Sequence, residues 1–454
     1  MNPEFYLALG TITLAAFALR IFRLGRWSFW IDELYSIRHA ERIVTNGIRA
    51  SDSHHPIYYL LIAPLFRRFG VNEWTARLPA AIIGALTIPI LILALTPIIG
   101  SSATLILGLI LAVSPWHIYW SQNARFYTLT FLLQALALLA LYQFGETGRW
   151  ESILFYLLLY GLAILAHETS ALMLVLAAAY LILTGIFSLA TFALVVVTPA
   201  IFSAIIFLAL GDTFHRRVDR IRHQWREHFS QRRTIPLVIL AGTLRYIGLA
   251  MVCIALVGFF YGWAQPNRWS ILIAIVEFLP LVLAMLWACV AYSATRYAFI
   301  ALLGFSLAAA QFAQAAFELS SWVGSAVVMV IVVTSLDDLY LYYFVQHGNR
   351  AHWKEILLAA KTQIADGDLI LSTAPDLAQY YLARPVRHLF AENIKSLEHV
   401  DGKVWFILDD TFDQLPTPTR DWITQHSQIV LCDRTRFHWR AWTVTVRVWN
   451  NTTG

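Results

Sequence analysis

Two stretches of this chain, residues 78–124 and 169–211, contain no Asp, Glu, Lys or Arg. Each is long enough to cross a bilayer twice at about 20 residues per helical span. A backbone in hydrocarbon has to satisfy its own N–H and C=O groups, so these stretches are expected to be helices. Composition agrees with the pattern: 59% of residues are hydrophobic and 13% charged, whereas soluble domains run at about 45–50% and about 25%. The same figures exclude a disordered chain. Cys253, Cys289 and Cys432 are too few and too scattered for a disulfide framework. The 33 basic residues are interspersed with 28 acidic ones, which argues against nucleic acid as a partner.

Apolar segments between polar punctuation predict eleven transmembrane helices, near residues 5–22, 76–96, 101–119, 126–144, 151–166, 169–186, 188–210, 235–263, 270–291, 296–316 and 321–345. Residues 5–22 lack the basic flank and cleavage site of a secretory signal and are read as the first span. The segment 56–66 is apolar but short and is followed by Arg67 and Arg68, so it is expected to be a juxtamembrane helix. With an N-terminus in the cytoplasm, this count puts the loops 23–75, 120–125, 167–168 and 212–234 on one outer face, with the tail from residue 349. These loops hold nearly all the ionisable residues of the membrane part, and one crowded face reads as one active face. The positive-inside rule pulls the other way. Arg216, Arg217, Arg220, Arg222, Arg226, Arg232 and Arg233 would all lie outside.

From residue 349 onward charges and turn residues return. Strands are expected at 368–372, 403–408, 428–432 and 441–449, with helical stretches at 352–365, 376–383 and 417–426 between them. The reading is two domains: a transmembrane part, 1–348, whose first outer loop 23–75 is catalytic, and a small C-terminal α/β domain, 349–454. The tail has no Gly-rich phosphate loop, since the strand at Leu369 runs into Ser372, Thr373 and Ala374.

Chemistry-bearing residues recur at span ends. Trp27-Ser28-Phe29-Trp30-Ile31-Asp32-Glu33-Leu34-Tyr35-Ser36 follows the first span. Two carboxylates there read either as an aromatic anchor with solvated acids or as a partly desolvated pair with a carboxyl suited to act as a base. The loop continues through Ser53-His54-His55-Pro56-Ile57-Tyr58-Tyr59-Leu60-Leu61 to Glu73-Trp74-Thr75-Ala76-Arg77-Leu78-Pro79. Later come Ser114-Pro115-Trp116-His117, then Ser121-Gln122-Asn123-Ala124-Arg125-Phe126-Tyr127 and the pair His167-Glu168.

In order and spacing these motifs resemble membrane glycosyltransferases of the GT-C fold, family 39 type, including protein mannosyltransferase and aminoarabinose-transferase relatives. The resemblance covers about residues 1–170. It implies a polytopic α-helical protein of the cytoplasmic membrane with an extracytoplasmic site, moving a sugar from a polyprenyl-phosphate donor to a lipid, glycan or protein acceptor. It implies Asp32 as general base with Glu33 assisting, and His54, His55, Tyr58, Arg77, Arg125, Tyr127 and His167 as substrate-binding residues. His55 stands where relatives commonly carry Pro. Arg125, with Arg77, would meet the carrier phosphate, whose oxygen pair suits a planar fork of donors. A single displacement would invert the anomeric carbon. No metal is required, although His54 with Glu33 or His167 could hold a divalent ion.

Other readings stay open at this stage. Arg125 could snorkel to headgroups, and His54 and His55 could be interfacial polar residues on a turn. Within 212–234, Val218, Ile221, Trp225 and Phe229 recur at helical steps among arginines. That pattern fits an interfacial helix over an anionic carrier lipid or a cytoplasmic basic loop. A lipid-linked substrate transporter would show two related halves and helices interrupted at midplane, and no such repeat is visible. A non-catalytic carrier-lipid binder would carry the same motifs.

Overall fold

The computed structural model describes residues 2–47, 56–209, 235–264, 266–289, 293–389, 397, 402–437 and 440–450. Every segment expected to span is helical over most of its length, but the count of eleven is not confirmed. Among the described residues seven helices are long and apolar enough to cross a membrane: Pro3–Ile21, Glu73–Val113, Tyr127–Thr147, Leu189–Leu208, Arg268–Ala288, Ala301–Leu319 and Ser321–Val345. An eighth span is obtained if Pro236–Ile247 and Leu249–Trp263, bent by 94°, count as one. The difference has identifiable causes. Trp150–Ala166 and Glu168–Leu183 are shorter than a full crossing. The expected span 76–96 and most of 101–119 fall in one 41-residue element, Glu73–Val113, in which two helices meet at a non-helical break at Gly100 with φ 82°, so that the two are counted there as one. The arginine-rich loop 212–234 lies outside the described residues.

The chain groups into two compact units, one formed by residues 1–22, 39–70 and 75–339, the other by residues 23–38, 71–74 and 340–454. In the first unit we label the leading helices α1 (Pro3–Ile21), α2 (Ile31–Asn46, which begins in the second unit), α3 (Pro56–Phe69), α4 (Glu73–Val113), α5 (Pro115–Ser121) and α6 (Tyr127–Thr147). Helix ends leave carbonyls without intrahelical partners, and two buried side chains meet that demand here. Arg20, near the end of α1, donates to the carbonyls of Leu111 and Ala112 in the last turn of α4 and to Nδ1 of His117, at 3.0, 3.1 and 2.9 Å. Gln122, just past α5, donates through Nε2 to the carbonyls of Leu19, Arg20 and Phe22 at the end of α1. Because a guanidinium only donates, Nδ1 of His117 is the acceptor and its proton sits on Nε2.

Further along, Ala301–Leu319 packs against both Leu249–Trp263 and Arg268–Ala288. Its small residues allow the approach, as is general where apolar lipid gives no drive to bury larger ones. A Cβ on Gly304 would stand 2.3 Å from the backbone N of Glu277, and one on Gly258 would stand 2.1 Å from the carbonyl oxygen of Ala308.

The second unit carries a five-stranded sheet in the order β2-β1-β3-β5-β4, where β1 is Leu369–Ser372, β2 Arg387–His388, β3 Lys403–Leu408, β4 Gln428–Phe437 and β5 Arg440–Asn450. β1 runs parallel to β2 and β3, and β5 is antiparallel to β3 and β4. Val404 to Leu408 are all buried, as expected of a strand covered on both faces. Leu371, Phe406, Leu415 and Ile423 share its core. β2 was not expected: at two exposed residues it carries no apolar alternation to read.

Candidate active site

In the second unit the adjacent carboxylates separate into two environments. α2 begins at Ile31, so Asp32 and Glu33 lie in its first turn, where the helix dipole favours acids. Glu33 reaches back to accept the backbone N–H of Trp30 at 3.3 Å, half of a capping box. It is wholly buried, and its carboxylate lies 3.7 Å from Nε of Arg350, whose side chain is 2% exposed. Asp32 is half-buried and remains the accessible carboxylate of the pair.

The segment leading to them is stapled to the tail. Trp27 is buried against Tyr342 and His347. A Cβ on Gly348, at φ 62°, would meet its ring at 2.8 Å. Ser28 accepts from the Lys354 N–H at 3.0 Å and donates to Glu355 at 3.2 Å. The hydroxyl of Tyr381 accepts from the Phe29 N–H at 2.6 Å and donates to Glu73 at 3.2 Å, and Nζ of Lys354 lies 3.1 Å from the same carboxylate. The Trp-Ser-Phe-Trp run is therefore largely core in this unit: Trp27, Ser28 and Phe29 are all at or below 1% exposure.

In the first unit, the motif before Arg125 folds as a short helix and a tight turn. Ser114 caps α5 and Pro115 opens it. The Arg125 N–H then donates to the carbonyl of Asn123 at 2.7 Å, and α6 begins at Tyr127. Arg125 is half-buried, with its guanidinium over the Phe126 ring at 4.4 Å. Phe126 stacks on His167 at 4.2 Å, and the Tyr127 ring lies 5.4 Å from the same imidazole. The Tyr58 hydroxyl sits 3.5 Å from the carbonyl of Ala76 and 3.4 Å from that of Asn123, joining α3, the start of α4 and the Arg125 turn. Arg77 follows Ala76 and is wholly buried, a place a guanidinium holds only with partners.

His167 caps a single turn, Glu168–Ala171, and its Nδ1 accepts from the Thr169 N–H at 3.1 Å. Its proton therefore lies on Nε2, 3.9 Å from Glu168.

The structure thus gathers Tyr58, Arg125, Tyr127 and His167 in one unit, while Asp32 and Glu33 belong to the other. His54 and His55 lie outside the described residues. Among the described residues no group of three or more His, Cys, Asp or Glu side chains is placed to hold a metal ion. Arg350, Lys354 and Tyr381, which hold Glu33 and Glu73, were missed from sequence, since nothing local to those residues announces a partner so far away in the chain. The same applies to Arg245, which makes a two-pronged pair with Asp338 at 2.9 and 3.4 Å.

Over its whole length the chain superposes on ArnT from Cupriavidus metallidurans bound to undecaprenyl phosphate, with a TM-score of 0.61 and 14% identity, covering 100% of this chain and 99% of that one. The chain has the GT-C fold. The archaeal oligosaccharyltransferase AglB from Archaeoglobus fulgidus, in complex with an inhibitory peptide and a dolichol-phosphate, matches with a TM-score of 0.58 and 13% identity, covering 90% of this chain and 70% of that one. Residues 53–210 match the family model of dolichyl-phosphate-mannose-protein mannosyltransferases. No curated protein matches the sequence at a significant level. The superfamily resemblance carried by the motifs therefore stands. The likeness of fold covers the whole chain, past residue 170 where the motifs end.

Proposed function

We propose that this GT-C protein transfers a glycosyl group from a polyprenyl-phosphate sugar to a lipid, glycan or protein acceptor on the outer face of the cytoplasmic membrane, with inversion at the anomeric carbon. The observation that carries the reading is the full-length likeness to a GT-C enzyme holding undecaprenyl phosphate, combined with the ordered acid, imidazole and guanidinium motifs.

Asp32 is the base that takes the acceptor hydroxyl proton as the oxygen attacks the anomeric carbon. Its neighbour Glu33 is buried against Arg350 and already used in capping α2, so it serves as a positioning residue. Arg125 offsets charge on the departing phosphate. Tyr127 and His167, packed with Phe126 beside it, fix the direction of that fork. The leaving group is an anionic phosphate already, and positioning with electrostatics supplies most of the rate.

The test is transfer from a panel of radiolabelled polyprenyl-phosphate sugars by membranes containing wild type or Asp32→Asn, with the folding of both checked by gel filtration in detergent. Loss of transfer by about 10²-fold or more in a folded Asp32→Asn protein supports the assignment. Equal transfer by both removes Asp32 from the chemistry. Retention of configuration in the product would rule out single displacement.

A further inference from the structure

A cavity of about 740 Å³ opens in the first unit between the ends of α6, Leu249–Trp263, Arg268–Ala288 and Ala301–Leu319, within the size range of small-ligand sites. It is remote from the Arg125 turn. Tyr142 and Glu146, which line it, stand on the last turns of α6, whose first residue is Tyr127. A helix of that length separates its ends by about 30 Å at about 1.5 Å per residue. Three of these helices, α6, Arg268–Ala288 and Ala301–Leu319, are each long enough to cross a bilayer, so their ends lie at headgroup level.

The lining is selective. Its charged lining is two carboxylates, Glu146 and Glu318, and one guanidinium, Arg268. Nη1 of Arg268 donates to the carbonyl of Gly145 at 2.6 Å and lies 3.6 Å from Glu146, which leaves its other donors for an anionic oxygen. Nε2 of Gln314 donates to Glu318 at 3.1 Å.

Among the described residues that line this cavity, two side-chain polar atoms are buried without a hydrogen-bond partner: the indole N–H of Trp269, a residue 6% exposed, and Oε1 of Gln314. Such groups are costly unless something supplies the missing bond. One is a donor and the other an acceptor. Trp269 is also held edge-on to Tyr142 at 5.0 Å, and aromatic faces of this kind attract ammonium groups. A ligand that satisfies this set carries a cation for Glu318, the oxygen of Gln314 and the aromatic faces, and an anionic oxygen for Arg268 and the indole N–H.

We propose that this cavity binds the headgroup of a zwitterionic aminophospholipid, its ammonium at Glu318 and Gln314 and its phosphodiester at Arg268 and Trp269. The site is separate from the glycosyl-transfer reading and does not depend on it.

The test is native mass spectrometry of the full-length protein in detergent with dioctanoyl phosphatidylethanolamine, dioctanoyl phosphatidylglycerol or free phosphoethanolamine at equal concentration. Wild type is expected to retain the ethanolamine lipid about tenfold better than the glycerol lipid, the effect of one charge-assisted hydrogen bond. The double variant Trp269→Phe with Glu318→Gln is expected to lose that preference while keeping the lipid-free melting temperature. Should the double variant fold poorly, Glu318→Gln alone, at an exposed side chain, is expected to lower the preference by itself. Equal retention of the two lipids by wild type, or an unchanged preference in the folded variant, overturns the proposal. Displacement of the lipid by free phosphoethanolamine at equal concentration would put the soluble compound in the site and overturn the lipid assignment.

Discussion

Glu33 and Asp410 show how far one side chain depends on its surroundings. Glu33 is a buried acid whose charge is matched by Arg350, and breaking such a pair from one side leaves an uncompensated charge. Arg350→Met is expected to lower stability by about 3 kcal/mol, read as a drop in melting temperature in detergent. Adding Glu33→Gln should recover most of the loss, since the amide still accepts from Trp30. If the double variant melts as low as the single one, the pair is not the cause. Asp410, in the second unit, has a carboxyl pKa raised by burial and by the nearby carboxylates of Asp409 and Asp413, against the Thr443 N–H and Arg434, which lower it. The folded chain therefore holds this proton more tightly than the unfolded chain. Its contribution favours folding at acid pH and is lost as pH rises from the ordinary carboxylate value through the raised one. Asp410→Asn should accordingly gain stability relative to wild type at neutral pH and lose that advantage near about pH 4, followed by thermal melting across the range. An advantage that grows on acidification would contradict the direction of the shift. From sequence, Asp32 and Glu33 were an indivisible dipeptide. Their separation into an accessible and a buried carboxylate comes from Arg350, which no local pattern tied to Glu33.

At the scale of elements, the packing of Ala301–Leu319 is set by what its glycine lacks. Gly304→Ala would place a methyl against the backbone of Glu277, and backbone cannot rotate aside as a side chain can. The expected cost is about 3 kcal/mol or more, measured as lost thermal stability and as easier proteolysis of the neighbouring loops. The turn has little room to repack around the added methyl, because Leu302 and Leu303 just before it are themselves buried. A substitution without effect would mean the two helices can part without loss. Charge-free runs and apolar length made the helices legible one by one, and the short apolar run at 403–408 and the alternation at 441–449 did the same for two strands. The break at Gly100 falls between the expected spans 76–96 and 101–119 and was legible too. The 94° bend between Pro236–Ile247 and Leu249–Trp263 was not, because hydropathy stays continuous there while the chain changes direction.

For the molecule as a whole, the second unit joins chain segments that are distant in sequence. Removing residues 349–454 would delete Arg350, Lys354 and Tyr381 together, leaving the carboxylates of Glu33 and Glu73 without the partners that hold them. The truncated chain is expected to become cleavable by trypsin at Arg23, Arg26 and Arg38 and to lose transfer. Mapping the cleavage fragments checks this, and resistance at those sites equal to wild type would show that residues 23–38 hold their structure without the tail. The sequence by itself determined that the chain lives in a membrane, that its chemistry-bearing residues stand at span ends, and that their order matches the GT-C superfamily, because hydropathy, spacing and motif order are properties of neighbouring residues. Only the tertiary structure decided which acid of the pair is accessible, which carbonyls Arg20 and Gln122 cap, and which segments share a core with the tail. Those outcomes rest on pairings between residues far apart along the chain, where burial makes an unmet charge or hydrogen bond costly and so selects one partner among many.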